Sequence, residues 1–412
     1  MRNFFIWVKA LFKKEIMLSV SLLAAVISLF ITPPSIELLH DINWRTLATL
    51  FMLLTVLEGF KSENIFAPLL KKTKNLSRIK TLTVFFVFCV FFSSMFVTND
   101  VSLIIFVPLT IILFRAGGKE KYILPVLTFE NIAAIRGSLL MPFGSPQNLF
   151  LYAKSGISTP EFIKMMLPLW IFSAFLLYIF ISILYRKDSK EKIEIQENVI
   201  AETDHSFTPS QPSCSETRSK PVSQVLPASR RSLHHKRRIM YQVLFLVVVA
   251  SIVTRTRFYP VVLAFVFISV LTSDRKILFK TDYVLLLTFL CFFTFSSSVC
   301  RHPAISEFLK NSVAGHEYVW SILLSQVISN VPASIVLYPF STNLRALLYG
   351  LDSAGLCSLI GSLASVINLR LYMREYPGKS LAFVKTFTWI SLAFFAVVVL
   401  PQLWLIKVLP NI

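Results

Sequence analysis

Two short polar strings interrupt long apolar stretches. Thr98-Asn99-Asp100-Val101 lies within residues 81–115, and Ser329-Asn330-Val331-Pro332 lies within 317–345. Each stretch is too long for one membrane crossing and too short for two with a turn, so each reads as a hairpin with the polar string at its tip. Asn suits a tip because it tolerates left-handed backbone and offers two donors and an acceptor. Two half-helix ends meeting there present a partial positive pole to an anion, or free carbonyls to a cation. Two readings stay open for Thr98, Asn99, Ser329, Asn330 and Pro332: ligand binding, or capping of the hairpins. Occurrence of the motif twice favours binding. A second pair of strings, Gly144-Ser145-Pro146-Gln147-Asn148 and Gly361-Ser362 with Ser365 and Asn368, carries helix breakers among polar groups. Pro146 lacks an amide donor and Gly144 and Gly361 permit unusual dihedrals, so each string predicts a broken helix. The freed carbonyls would surround a small ion; the plainer alternative is a kink. Asp100, at the first tip, is the carboxyl best placed to hold a coupling ion or proton, with capping as its alternative. Glu130 and Arg136, six apart, do not stack as a close helical pair. Glu58 reads as solvated near a helix end, and His40, His302 and His316 fall in loops.

The elements that hold these strings are membrane helices. Of 412 residues, 55% are hydrophobic, 15% are charged and 38 are Phe. An average soluble domain has roughly 25% charged residues. Apolar runs such as 16–31 and 381–400 approach the ~20 residues that cross a ~30 Å hydrocarbon layer. The five cysteines show no metal-ligand spacing, and no phosphate-binding loop, zinc-protease or hydrolase motif is present. An enzyme is therefore not expected, nor a metal or organic cofactor. Further spans are expected at 44–60, 121–152, 166–185, 239–254, 258–273, 282–298, 348–372 and 381–406. Residues 186–238, rich in Ser, Pro and charge, read as a disordered linker. The basic group from Arg230 to Arg238 is a topology signal or an attraction to anionic lipid.

The two halves repeat. Residues 42–60 align with 281–299, TNDV at 98–101 with SNVP at 329–332, and NLFLY at 148–152 with NLRLY at 368–372. With the N-terminus in the cytoplasm, Lys and Arg in the loops divide 30 inside to 9 outside. This bias accounts for the net charge of +19 without any nucleic acid. It also makes the halves inverted copies: one hairpin opens inward, the other outward. The expectation is an all-α polytopic membrane protein with two inverted repeats, re-entrant hairpins and broken transmembrane helices, and about 9–11 spans. Its parts are an N-terminal repeat (1–185, hairpin 81–115), a cytoplasmic linker (186–238) and a C-terminal repeat (239–412, hairpin 317–345). The C-terminus falls outside.

The strings TNDVSLIIFVPLT, ENIAAIRGSLLMPFGSPQNLFLY, SQVISNVPAS and GLCSLIGSLASVINLRLY resemble the arsenite-pump/citrate-transporter (ion transporter) superfamily, and most closely its small bacterial anion permease branch. The resemblance spans about 16–185 and 239–406. It implies an inverted-repeat secondary carrier of a small anion or oxyanion in the bacterial inner membrane. Coupling is to Na⁺ or H⁺, and a Na⁺/H⁺ antiporter is the alternative. It also implies that the two tips and the facing breaks form the substrate and ion sites. A homodimer or an ATPase partner would be compatible, though no residue indicates either; membrane lipid is the surrounding partner. Three departures stand out. Ser145 replaces the usual Asn, Arg136 stands in Ile135-Arg136-Gly137-Ser138, and the second glycine-rich run reads Gly350-Leu351-Asp352-Ser353-Ala354.

Overall fold

A computed structural model describes residues 16–32, 42–63, 78–188, 228–254 and 257–408. The basic segment 1–15 and most of the expected linker, 189–227 with Cys214, lie outside the described residues. Seventeen α-helices occur among the described residues, and no strand. In the first half they are α1 (Ile16–Ile31), α2 (Trp44–Ser62), α3 (Ile79–Val97), α4 (Asn99–Ala116), α5 (Ile123–Gly137), α6 (Pro146–Ser155) and α7 (Thr159–Leu184). In the second they are α8 (Ala228–Val253), α9 (Tyr259–Ser273), α10 (Arg275–Lys280), α11 (Tyr283–Arg301), α12 (Pro303–Val313), α13 (Glu317–Ile328), α14 (Asn330–Leu337), α15 (Leu344–Cys357), α16 (Leu363–Glu375) and α17 (Ser380–Val408).

Five of these, α3, α4, α7, α11 and α17, are long and apolar enough to cross a membrane. The chain is thus a polytopic membrane protein. Its outer faces agree: Leu381, Trp389, Leu400 and Trp404 of α17 are exposed. Inside, Phe86, Phe91, Phe106 and Phe114 are buried. In lipid, such burial is rewarded by close packing rather than by release of water.

Helix ends follow the sequence repeat. The Asn43 side chain caps α2 by accepting from the Thr46 amide, and Asp282 caps α11 by accepting from Leu285. Two expectations change. Each arm of the first hairpin has the length of a full span, with 19 and 18 residues, whereas the second has arms of 12 and 8. Helix α8 also begins at 228, so its first eleven residues fall in the expected linker. There Arg237 donates to the Ser273 carbonyl at 2.8 Å, and Arg238 donates to that of Glu63 at 2.8 Å. These two arginines of the basic group therefore hold α8 to the ends of α2 and α9.

The helices group into two bodies. In the first, α1 lies along α11, while α8, α9 and α10 pack on α2. The leading helices of each half thus serve the other half. In the second, α3, α4, α5 and α7 pack together, as do α13, α14, α15 and α17, and the two groups join through α4 with α16, α6 with α14, and α5 with α17. Between the bodies runs a seam where α2 meets α4 and α6, and α11 meets α14.

Candidate functional site

Each hairpin turns at a single residue. Thr98 links α3 to α4 with φ 70° and ψ 157°, and Ser329 links α13 to α14 with φ 69° and ψ 160°. They are the two non-glycine residues with positive φ among those described. Such a conformation costs on the order of 1–3 kcal/mol each and persists only where its surroundings impose it. The expectation that Asn takes the left-handed position is corrected: the preceding hydroxyl residue does. Asn99 and Asn330 instead open the next helix, and the first amides of a helix lack an internal partner. Those amides go to the breaks. Asn99 N donates to the Gly144 carbonyl at 3.3 Å, and Asn330 N donates to the Gly361 carbonyl at 3.3 Å. The side chains stay local: Asn99 Oδ1 accepts from the Asp100 amide and Asn330 Oδ1 from the Ser329 hydroxyl.

The breaks also differ in detail from the expectation. The non-helical segments are 138–145 and 358–362. Pro146 therefore begins a helix rather than kinking one, at the position where its missing amide costs nothing. Gln147 and Asn148 fall in the first turns of α6, and Ser365 and Asn368 lie within α16. Ser145 and Ser362 precede these helices, which makes them equivalent and puts Asn148 opposite Ser365. The expected match of Asn148 with Asn368 is thus off by three residues. Backbone geometry rather than the similar NLFLY and NLRLY strings sets the register. Gly144 and Gly361 are required by contact: a Cβ would lie 2.2 Å from the Ser138 carbonyl at the first and 2.0 Å from that of Ala354 at the second.

Nearly all the expected site residues are buried; Asp100 is partly exposed. Thr98, Asp100 and Pro146 line a cavity of about 490 Å³ in the seam between the two bodies. Its other walls come from α2 (Leu50 to Lys61), from Lys280 to Leu285, and from Leu363 and Ile367 of α16. Five charged groups face it: Glu58, Lys61, Asp100, Lys280 and Asp282. Glu58 is therefore part of the cavity wall and pairs with Lys61 at 3.3 Å. Ser329, Asn330 and Pro332 do not line this cavity. The second tip reaches the first half instead through packing of α14 on α6.

Sequence reasoning missed the polar contacts that join the halves. Arg136 and Asp352, singled out as separate departures, form a buried ion pair at 2.5 Å. Arg136 also donates to the Ser353 hydroxyl at 3.2 Å, and the Gln402 amide oxygen accepts from both Ser353 and Tyr318. Asn131 Nδ2 donates to Ser365 Oγ at 3.0 Å, and Asn368 Nδ2 donates to the Leu127 carbonyl at 2.7 Å. The signal available was charge within apolar runs, which is costly in a bilayer and marks function or pairing. No spacing within one segment pointed to the partner.

A family model described as citrate transporter (CitMHS) matches residues 4–348. The chain is 29% identical over 340 residues to the uncharacterized transporter MJ0456 of Methanocaldococcus jannaschii, covering 81% of this chain and 83% of that protein. It is 27% identical over 336 residues to the inner membrane protein YbiR of Escherichia coli strain K12, covering 80% of each. A hairpin tip hydrogen-bonded to a helix break in each half, inside a helical membrane protein, goes with a family match across most of the chain: it belongs to the citrate transporter family, and it is a secondary transporter rather than an enzyme.

Proposed function

We propose that this protein carries a small anion or oxyanion across the cytoplasmic membrane by alternating access, with a Na⁺ or H⁺ gradient as the driving force. The observation that carries this reading is the duplicated joint: a strained hydroxyl residue, then an Asn amide bonded to a break glycine, in both halves. A purely structural cap has no need of duplication around a pseudo-twofold axis, whereas a central site between inverted repeats does. The seam supplies the moving part. The hairpin body contacts the leading-helix body along few helices, and the cavity opens in that seam beside tip and break residues. Lys280, and Lys61 in its pair with Glu58, are the positive groups on its wall that an anion would meet. The positive-inside bias assigns that side to the cytoplasm, together with the N-terminus and the linker. On that assignment the conformation described is open inward. The site residues are Thr98, Asn99 and Asp100 with Gly144–Asn148 on one side, and Ser329, Asn330 and Pro332 with Gly361–Asn368 on the other.

A Na⁺/H⁺ antiporter is the second reading, and the carboxyls of Glu58, Asp100 and Asp282 around the cavity favour it. One assay separates the two. Purified protein in liposomes is offered radiolabelled citrate, succinate, arsenite or sulfate, each with an imposed Na⁺ or H⁺ gradient. Gradient-driven uptake of an anion supports the proposal. Na⁺/H⁺ exchange without uptake of any anion refutes it.

A further inference from the structure

Helices α4, α5 and α16 meet at a wholly buried polar cluster to which neither the tips nor the breaks contribute backbone. Leu127, Glu130 and Asn131 share one face of α5, at helical spacings of three and four. Helix α16 brings Ser365 and Asn368 against that face, and α4 brings Thr110. All five polar side chains, Thr110, Glu130, Asn131, Ser365 and Asn368, are 0% exposed. Every amide nitrogen among them is used: Asn131 Nδ2 on Ser365 Oγ and Asn368 Nδ2 on the Leu127 carbonyl. The Thr110 hydroxyl donates to Glu130 Oε1 at 2.5 Å. Three oxygens remain without a partner: Glu130 Oε2, Asn131 Oδ1 and Asn368 Oδ1.

The remainder is chemically one-sided. It consists of acceptors, and one of them belongs to a carboxylate with no cation against it among the described residues. Arg136, farther along α5, is committed to Asp352, while Arg115, Arg370 and Arg374 are exposed. A buried carboxyl with one donor and no counter-charge either takes up a proton or binds a cation. A small cation bound by oxygen corrects both deficits. We propose that Glu130, Asn131 and Asn368 are ligands of a sodium ion at the α4/α5/α16 junction, and that this ion couples to transport. The coupling role rests on the transport reading above. Sodium fits better than a proton, because a proton occupies one oxygen and satisfies at most one more, while three acceptors in one buried cluster lack a donor. It fits better than a divalent ion, whose sites usually carry more negative charge than one carboxylate. The site has no copy. Arg136 and Asp352 occupy equivalent places, each two residues before a carbonyl that meets a break glycine. The same offset puts Ala346 and Leu347 where Glu130 and Asn131 stand, so one ion binds per chain. Because α4 follows the first tip and α16 follows the second break, the ion would hold parts of both halves in one arrangement.

The test is thermal unfolding of the purified protein in NaCl against choline chloride at equal ionic strength, at pH 6 and pH 8. The expected result is a saturable stabilisation specific to Na⁺ in the parent and its loss in Glu130→Gln. If Glu130→Gln does not fold, Asn131→Ala removes one neutral ligand and should weaken apparent Na⁺ affinity roughly tenfold. No Na⁺-specific shift in the parent, or an unchanged shift in the variants, overturns the proposal. A shift that follows pH but not Na⁺, and is lost in Glu130→Gln, gives the site to a proton and also overturns it. The transport reading fails separately: no anion is taken up under any gradient while the Na⁺ shift persists.

Discussion

Exchanging the two charges of the buried ion pair, Arg136→Asp with Asp352→Arg, tests the repeat and the packing together. The side chains are 0% and 3% exposed and approach to 2.5 Å. Residues at equivalent positions that touch each other must straddle the pseudo-twofold axis, so exchange should rebuild the pair in mirrored form. Removing one partner, as in Arg136→Met or Asp352→Leu, leaves an uncompensated buried charge and costs about 3–5 kcal/mol. That is a large share of the ~5–15 kcal/mol that holds a typical domain folded. The exchanged protein should recover more than half of this loss but not all of it. Arg136 now also donates to Ser353, and an Arg at 352 would meet Gly137 in its place. The double replacement by Met and Leu should be close to neutral, because it removes both desolvation penalties. The assay is thermal unfolding of detergent-purified protein, with the monodisperse fraction on gel filtration as a second readout. Single variants as stable as the parent, or an exchange no better than either single variant, would refute the axial placement and the cost assigned to it.

Three further outcomes are expected. Asn99→Ala and Asn330→Ala should each lower substrate affinity by roughly 5- to 150-fold, the worth of about 1–3 kcal/mol of lost hydrogen bonding in a dry site; normal binding with less folded protein would instead mean that the tips are only caps. Gly361→Ala should sharply reduce folded protein, since its Cβ would fall 2.0 Å from the Ala354 carbonyl, while Gly378→Ala, in an open turn at φ 82°, carries only the backbone cost of about 1–2 kcal/mol and should reduce expression less; equal expression of the two would contradict the close approach at the break. Labelling of single-cysteine variants in intact cells should leave position 214 protected and expose the C-terminus; labelling of 214 from outside would defeat the inward assignment of the linker.

Composition and periodicity alone were enough to establish a helical membrane protein, because a bilayer demands long apolar helices and punishes polarity wherever it is not satisfied. For the same reason the tips and breaks stood out in one dimension: TNDV, SNVP and the glycine strings are polar islands in apolar runs. The caps Asn43 and Asp282 were legible as repeat partners because capping is local, decided within three residues. What sequence could not supply were quantities that depend on the meeting of distant segments. Thr98 and Ser329 rather than Asn adopt the strained backbone, because the Asn amides must reach Gly144 and Gly361, 45 and 31 residues farther along the chain. The register of the second break shifted by three because a helix start and a glycine contact set it. The departures Arg136 and Asp352 are 216 residues apart, and only folding of the two halves onto one axis makes them a pair. Glu130 carried no signal beyond its charge. Its surroundings are built by α4 and α16, and the surplus of acceptor oxygens around it exists only once those helices have used up the donors.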